Sequence, residues 1–259
     1  MKKTLLALLV LGMCIATVGA QGVQEEKTEI LVSAAASLTN CMGELSVRFM
    51  QDNPTITVNC NYGSSGSLQM QIEQGAPADI FFSAGSKQME ALKAKGLMDT
   101  DTVKDLLENK VVLIVAKDGK RLANFEALDE DFITKIGVGE PKSVPAGQYA
   151  AQVFKSLNLT DAIASRLVYA KDVREVLYWV ETENVQAGIV YETDAKISSA
   201  VVICATAPQG SHTPIIYPVG VVKDSKHPTQ AKAFVDFLST EEAVEIFASY
   251  GFTVIESHV

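Results

Sequence analysis

The chain is poor in the residues that metal sites, disulfide frameworks and nucleic-acid binders depend on. Its 259 residues include three His, four Cys and one Trp. So few ligating side chains, and those scattered, leave little material for a metal cluster or a disulfide scaffold. Basic residues are also short, with 22 Lys and Arg against 31 Asp and Glu, a formal net charge of −9. Gripping a nucleic-acid duplex or an anionic membrane surface needs the opposite footprint, so neither is expected as a partner. Apolar residues, by contrast, make up 47% of the chain. That is too many for a disordered chain and enough for one large core or two medium ones.

Only one long hydrophobic run occurs. Leu5 to Val18 follows Lys2 and Lys3 and ends in Gly19-Ala20. This is the pattern of a secretory signal over residues 1–20. The run falls short of the ~20 apolar residues that span a bilayer, and no later stretch is longer. An acylated Cys14 would make a lipoprotein, but Met13 is bulky and the tail behind Cys14 lacks a polar tether. A periplasmic or outer-envelope location is therefore expected, by cleavage rather than by a lipid anchor. Losing the two lysines takes the net charge from −9 to −11. Cys41, Cys60 and Cys204 would then sit in an oxidising compartment. Cys41 and Cys60 are the one pair close in sequence, yet each also suits a small buried apolar position, which is the preferred reading.

From residue 30 onward, short apolar runs alternate with stretches of helical period. Strands are expected at Ile30–Val32, Ile56–Cys60, Ile80–Phe82, Val111–Ala116, Lys135–Gly139, Ala187–Tyr191, Val201–Ala205 and Ile215–Val222. Helices are expected around Leu38–Phe49, Leu68–Ile72, Met89–Leu92, Ala146–Leu157 and Asp172–Glu183. Two more close the chain, the last opened by a Ser239/Glu242 capping box. Such alternation implies an α/β protein with mostly parallel sheets covered by helices. Composition does not choose between one domain and two lobes.

Enzyme motifs do not assemble. Gly63-Ser64-Ser65-Gly66-Ser67 comes near a nucleophile elbow, but its second Gly falls one place early. His212 and His227 lie beside prolines in expected loops, and His258 is one residue from the end. No Lys-Ser or Lys-Thr follows the glycines as a phosphate loop requires. What recurs instead is small polar sequence where a strand hands over to a helix. Ala34-Ala35-Ala36-Ser37 is one such junction and Gly63–Ser67 a second. Val144-Pro145-Ala146-Gly147 and Lys171-Asp172-Val173-Arg174 complete the set. Helix starts present free N–H groups and a positive dipole end, and they bind anions without formal positive charge. Taken singly, Ser37, Ser65 and Asp172 read as ordinary N-caps, and Tyr191 as a half-buried rim residue.

At these same positions the chain resembles the periplasmic molybdate-binding proteins of bacterial ABC importers. The likeness runs through Ala34–Asn40, Gly63–Leu68, Gly75–Ile80, Val144–Ala150, Asp172–Arg174, Gly188–Tyr191, Tyr217–Val219 and Tyr250–Phe252, and so covers the mature chain. It implies a two-lobed type II periplasmic-binding-protein fold with two hinge crossings, near Val111–Leu113 and Ile215–Pro218. Lobe one would then be about 25–112 plus 218–259, and lobe two about 113–217.

The resemblance further implies an oxyanion held in the cleft by five residues. Ser37 and Ser65 would each give a hydroxyl and a backbone N–H. Ala146 and Val173 would give backbone N–H groups, and Tyr191 its phenolic hydroxyl. Gly66 and Ser67 depart slightly from the family pattern, and Gly66 is expected to loosen the serine loop. The implied function is capture of molybdate, and of tungstate, for an ABC permease and its ATPase, by a monomer that is not an enzyme. No cofactor is implied, and no residue ligates molybdenum directly. The competing ligands are sulfate and phosphate, the latter needing Asp79 or Asp172 to accept a proton. Outside this class, the sequence is also compatible with a secreted Ser hydrolase using Ser65, or with a sensory domain that has no transport partner.

Overall fold

The computed structural model describes residues 27–255; the expected signal peptide over residues 1–20, with Cys14, and His258 lie outside the described residues. In chain order the strands begin β1 (Thr28–Ala35), β2 (Ile56–Gly63), β3 (Ile80–Phe82), β4 (Lys104–Glu108) and β5 (Val111–Ala116). They continue with β6 (Ile136–Gly139), β7 (Leu167–Ala170), β8 (Ala187–Tyr191), β9 (Val201–Thr206), β10 (Ile216–Val221) and β11 (Thr253–Val254). The first helices are α1 (Thr39–Asp52), α2 (Ser65–Glu73), α3 (Ser86–Ala94), α4 (Pro145–Ser156) and α5 (Thr160–Ile163). α6 (Val173–Glu181), α7 (Glu192–Lys196), α8 (Pro228–Phe237) and α9 (Glu241–Ser249) follow.

The strands form two sheets, ordered β11-β4-β10-β3-β1-β2 and β7-β6-β8-β5-β9. Strands with no polar face go to the middle. Every residue of β5 and β8 is buried, and these two pair at the heart of the second sheet. Helices cover the sheets with one apolar stripe each: Cys41, Met42, Leu45 and Phe49 on α1, and Val173, Val176, Leu177 and Val180 on α6.

Both sheets are mixed, where mostly parallel ones are expected. β1 runs parallel to β2 and β3, and β6 parallel to β7 and β8. These neighbours follow crossover helices, which return the chain in the same direction. β10 is antiparallel to β3 and β4, and β5 to β8 and β9. Each of those strands is the first after the chain changes sheet, so no crossover helix sets its direction.

The chain changes sheet twice, through Asn109 and Lys110 between β4 and β5, and through residues 207–215 between β9 and β10. Val111 and Val112 thus pair within the second sheet, and Ile216 and Tyr217 within the first. Two local expectations are corrected. Thr240, not Ser239, caps α9, its hydroxyl accepting the Ala243 N–H. Gly66 loosens nothing, because it is the second residue of a regular helix. All three described cysteines are free; Cys41 is buried with its thiol on the Leu38 carbonyl, and burial pushes its pKa up to about 12.

Candidate functional site

Parallel strands of the two sheets end at a common seam. Ser37 lies in the 3-10 turn Ala36–Leu38 that follows β1, and Ser65 opens α2 after β2. Ala146 is the second residue of α4, whose first, Pro145, has no N–H to give. Val173 opens α6 after β7, and Tyr191 ends β8. All five residues are buried and line one cavity, together with Ser64, Ala84 and Asp172. The space open to the centre of a water-sized sphere is about 10 Å³. That is about the room one water needs.

Capping does not occupy the two serines. Ser64, one residue before Ser65, caps α2 by accepting the Ser67 N–H. Leu38 stands at the N-cap of α1, so Ser37 is no cap either. Asp172 does cap α6, its Oδ1 accepting the Glu175 N–H at 3.0 Å. The first N–H groups of α2, α4 and α6 have no acceptor within their own helices, and the residues that open these helices line the cavity. α4 comes this close because a Cβ on Gly147 would lie 1.9 Å from the Gly139 carbonyl oxygen, so only glycine fits there.

The hydroxyls are oriented by neighbours. Ser65 Oγ accepts the Ala84 N–H at 2.9 Å, which leaves its own proton free to point elsewhere. Ser37 Oγ lies 3.0 Å from Tyr217 Oη, and that phenol accepts from Asn109 Nδ2 at 3.2 Å. With the Tyr217 proton given to Ser37, the Ser37 proton is free in turn. Tyr191 Oη lies 3.2 Å from the Ala84 carbonyl. Burial pushes the Tyr191 and Tyr217 phenols well above the usual tyrosine range, so both remain protonated donors.

One ion pair backs the site. Arg174 Nε lies 2.6 Å from Asp194 Oδ1, and Arg174 Nη2 donates to the Ser37 carbonyl at 3.1 Å. Asp194 is fully buried. Burial raises its pKa to about 6, with the Arg174 charge pulling the other way. Sequence reading missed Ala84, Asn109 and Asp194; each acts through partners 19 to 108 residues away, which no local pattern announces.

Other candidates fall away from the seam. Asp79 bonds the Leu31 N–H and the Ser225 hydroxyl, near the opposite end of β1. It lines a larger groove of about 590 Å³ with Glu29, Asp224, Lys226 and His227. Three carboxylates on those walls suit an anion poorly. Among the described residues, no histidine lines the seam cavity. His212 packs edge-on against Tyr149, with its Nδ1 beside the Thr213 carbonyl. No group of three metal-ligating side chains occurs among the described residues.

Two mixed sheets flanked by helices, joined by two crossings and enclosing a small donor-lined cavity, define a two-lobed binding protein. The chain belongs to the bacterial extracellular solute-binding protein family, whose model matches residues 30–253. It is 44% identical over 230 residues to a Bacillus subtilis protein that bears the name of an ABC transporter substrate-binding lipoprotein, YvgL, with 88% of each chain covered. It is 38% identical over 229 residues to the molybdate-binding protein ModA of Haemophilus influenzae, covering 87% of this chain and 90% of that one. In fold it matches the Azotobacter vinelandii periplasmic molybdate-binding protein with a TM-score of 0.80 at 22% identity, over 88% of this chain and all of that one.

Proposed function

We propose that the protein captures molybdate, and tungstate with it, in the seam cavity and delivers it to the permease and ATPase of an ABC importer. It does so as a monomer in the periplasm or outer envelope, with no cofactor and no catalytic step. Ser37 and Ser65 each give a hydroxyl and an N–H, Ala146 and Val173 their N–H groups, and Tyr191 its hydroxyl. One observation carries this reading: neutral donors from both sheets line a single small cavity. The relative named as a molybdate-binding protein, at 38% identity over most of both chains, supports the choice of anion.

The physics fits a dianion. A net charge of −11 after loss of the signal lysines repels anions at a distance, but salt screens this beyond ~10 Å. Capture therefore rests on short hydrogen bonds to charged oxygens, each worth roughly 1.5–3 kcal/mol. A wall on which donors outnumber acceptors also disfavours any anion that carries a proton. Asp172 is the one carboxylate on the wall, and its Oδ1 is held by the helix cap.

The two lobes, one built on each sheet, turn about the two crossings and close on the anion, giving a permease a closed shape to read. Calorimetric titration of the mature protein with molybdate, tungstate, sulfate and phosphate tests this reading. One equivalent of molybdate should bind tightly. A protein that takes only sulfate or phosphate, or none of the four, overturns it. Mass spectrometry of the secreted protein should find the chain starting after Ala20; a lipid-bearing Cys14 overturns the cleavage reading.

A further inference from the structure

Arg174 reaches across the seam. It belongs to the second lobe, being the residue after Val173 on α6, yet its Nη2 donates to the carbonyl of Ser37 in the first lobe at 3.1 Å. Its other edge is fixed, since Nε lies 2.6 Å from Asp194 Oδ1 on α7. Asp194 has no exposure to water, and the charge that favours its ionised form is that of Arg174. A buried carboxylate depends on the guanidinium for compensation, which holds Arg174 in place. A planar guanidinium can face two partners at once with one geometry; an ammonium has no such fork.

Ser37 is equally well held on its own side. Tyr217 Oη lies 3.0 Å from Ser37 Oγ and accepts from Asn109 Nδ2. The same nitrogen donates to Thr193 Oγ1 at 2.9 Å, and Thr193 precedes Asp194 in α7. The contacts therefore close into a ring that runs from Ser37 through Tyr217, Asn109, Thr193 and Asp194 to Arg174 and back to Ser37. Asn109 is part of the chain crossing between β4 and β5. When the lobes turn about the crossings, bonds at Asn109 lie near the axis and change little. The Arg174–Ser37 bond instead joins the two lobes directly, beside a residue of the cavity wall.

We propose that Arg174, seated by Asp194, is the positioning residue whose grip on the Ser37 carbonyl sets how long the bound anion is retained. This rests on reading the seam cavity as the anion site. Anions enter the open form, in which the grip does not exist, so it acts on release and not on entry. The Arg174 side chain touches no anion in this role; it holds the lobes, and with them Ser37 and Val173, in the closed arrangement.

The test is stopped-flow binding of molybdate to the full mature protein and to two variants. Arg174→Gln removes the grip but strands a buried carboxylate, which endangers folding. The double variant Arg174→Gln with Asp194→Asn removes both charges and keeps the side-chain shapes. Release should quicken about tenfold or more in each folded variant, the scale of one hydrogen bond to a charged group. Association should stay within about twofold, since entry precedes the grip. Arg174→Lys keeps the charge and should still release fast; wild-type release in the Lys variant would assign the effect to charge alone and overturn the proposal. So would a folded double variant with wild-type release. A wild-type protein that binds sulfate but no molybdate sinks the molybdate reading alone, and the same comparison of release rates is then made with sulfate.

Discussion

The N–H of Gly66, on α2 in the first lobe, donates to the carbonyl of Ser143 in the second at 2.9 Å. A Cβ built on Gly66 would lie 2.4 Å from that oxygen and 2.7 Å from Ser143 Cα. Both are backbone atoms at the entrance to α4, so neither can swing aside. The two helix starts that carry Ser65 and Ala146 approach this closely only because position 66 has no side chain.

Gly66→Ala should therefore fold well and close badly. Alanine favours a helix over glycine by about 1 kcal/mol, so the ligand-free melting temperature should hold or rise. Closure would stop short, and losing two donors to a charged oxygen should weaken molybdate binding by about 100-fold or more. Small-angle scattering with saturating molybdate should show less compaction than in wild type. Equal affinity in the Ala variant would mean that the two helix starts need not meet.

Tyr191→Phe keeps the ring packed against Tyr217, 5.7 Å away between centroids, and removes only the hydroxyl. That hydroxyl has a single proton, which in this arrangement faces the Ala84 carbonyl and is available to an anion on rotation. Molybdate affinity should fall by roughly 1.5–3 kcal/mol, about 10- to 150-fold. Ligand-free melting should barely move. An unchanged dissociation constant in calorimetry would remove Tyr191 from the ligand set.

Much of this architecture was legible because burial writes itself into short runs. Val111–Ala116 and Ala187–Tyr191 read as strands since, apart from the tyrosine hydroxyl, every residue in them is apolar or glycine, and all end up buried. Lys104–Glu108 went unread as a strand: it carries Lys, Asp and Glu, and its partners β10 and β11 come from the far end of the chain. The helix starts were visible as small polar junctions, but which serine caps α2 was not. Ser64 and Ser65 are chemically alike, and only the path of the loop decides whose hydroxyl turns back. The Arg174–Asp194 pair and the bond from Asn109 to Tyr217 were illegible because folding alone brings those residues together.

Asp194 gives the protein a pH signature of known sign. Its pKa rises from 3.8 to about 6 on folding, first because burial disfavours the charged carboxylate and against the pull of Arg174. The folded state thus binds this proton more tightly than the unfolded state does. Stability from this group falls as pH climbs from about 4 to about 6, by roughly 1–3 kcal/mol, and is flat above that. Other carboxylates, such as Glu73 and Asp236 with lowered pKa values, slope the opposite way, so the comparison must be made between proteins. Asp194→Asn cannot titrate, and its melting temperature should gain on wild type between pH 4 and 7. Parallel curves for the two proteins would show that Asp194 titrates normally.

Selectivity tests the choice of anion most directly. Molybdate and tungstate are tetrahedral dianions of nearly equal size, while sulfate has the same charge and shape with shorter bonds. The donors are fixed on helix starts held against backbone, α2 against the entrance of α4 at Gly66 and Ser143, and α4 against the end of β6 at Gly147 and Gly139. Helices packed against backbone atoms cannot draw in further around a smaller ion. Sulfate should then leave one or two buried donors stretched or unsatisfied, at ~1–3 kcal/mol each. Phosphate adds a proton near neutral pH, for which the wall offers one carboxylate, Asp172, already engaged at Oδ1 by the helix cap. Molybdate and tungstate should bind within about tenfold of one another, and sulfate and phosphate at least about a hundredfold more weakly. Competition calorimetry in one buffer measures all four, and sulfate matching molybdate there would make the cavity a sulfate site.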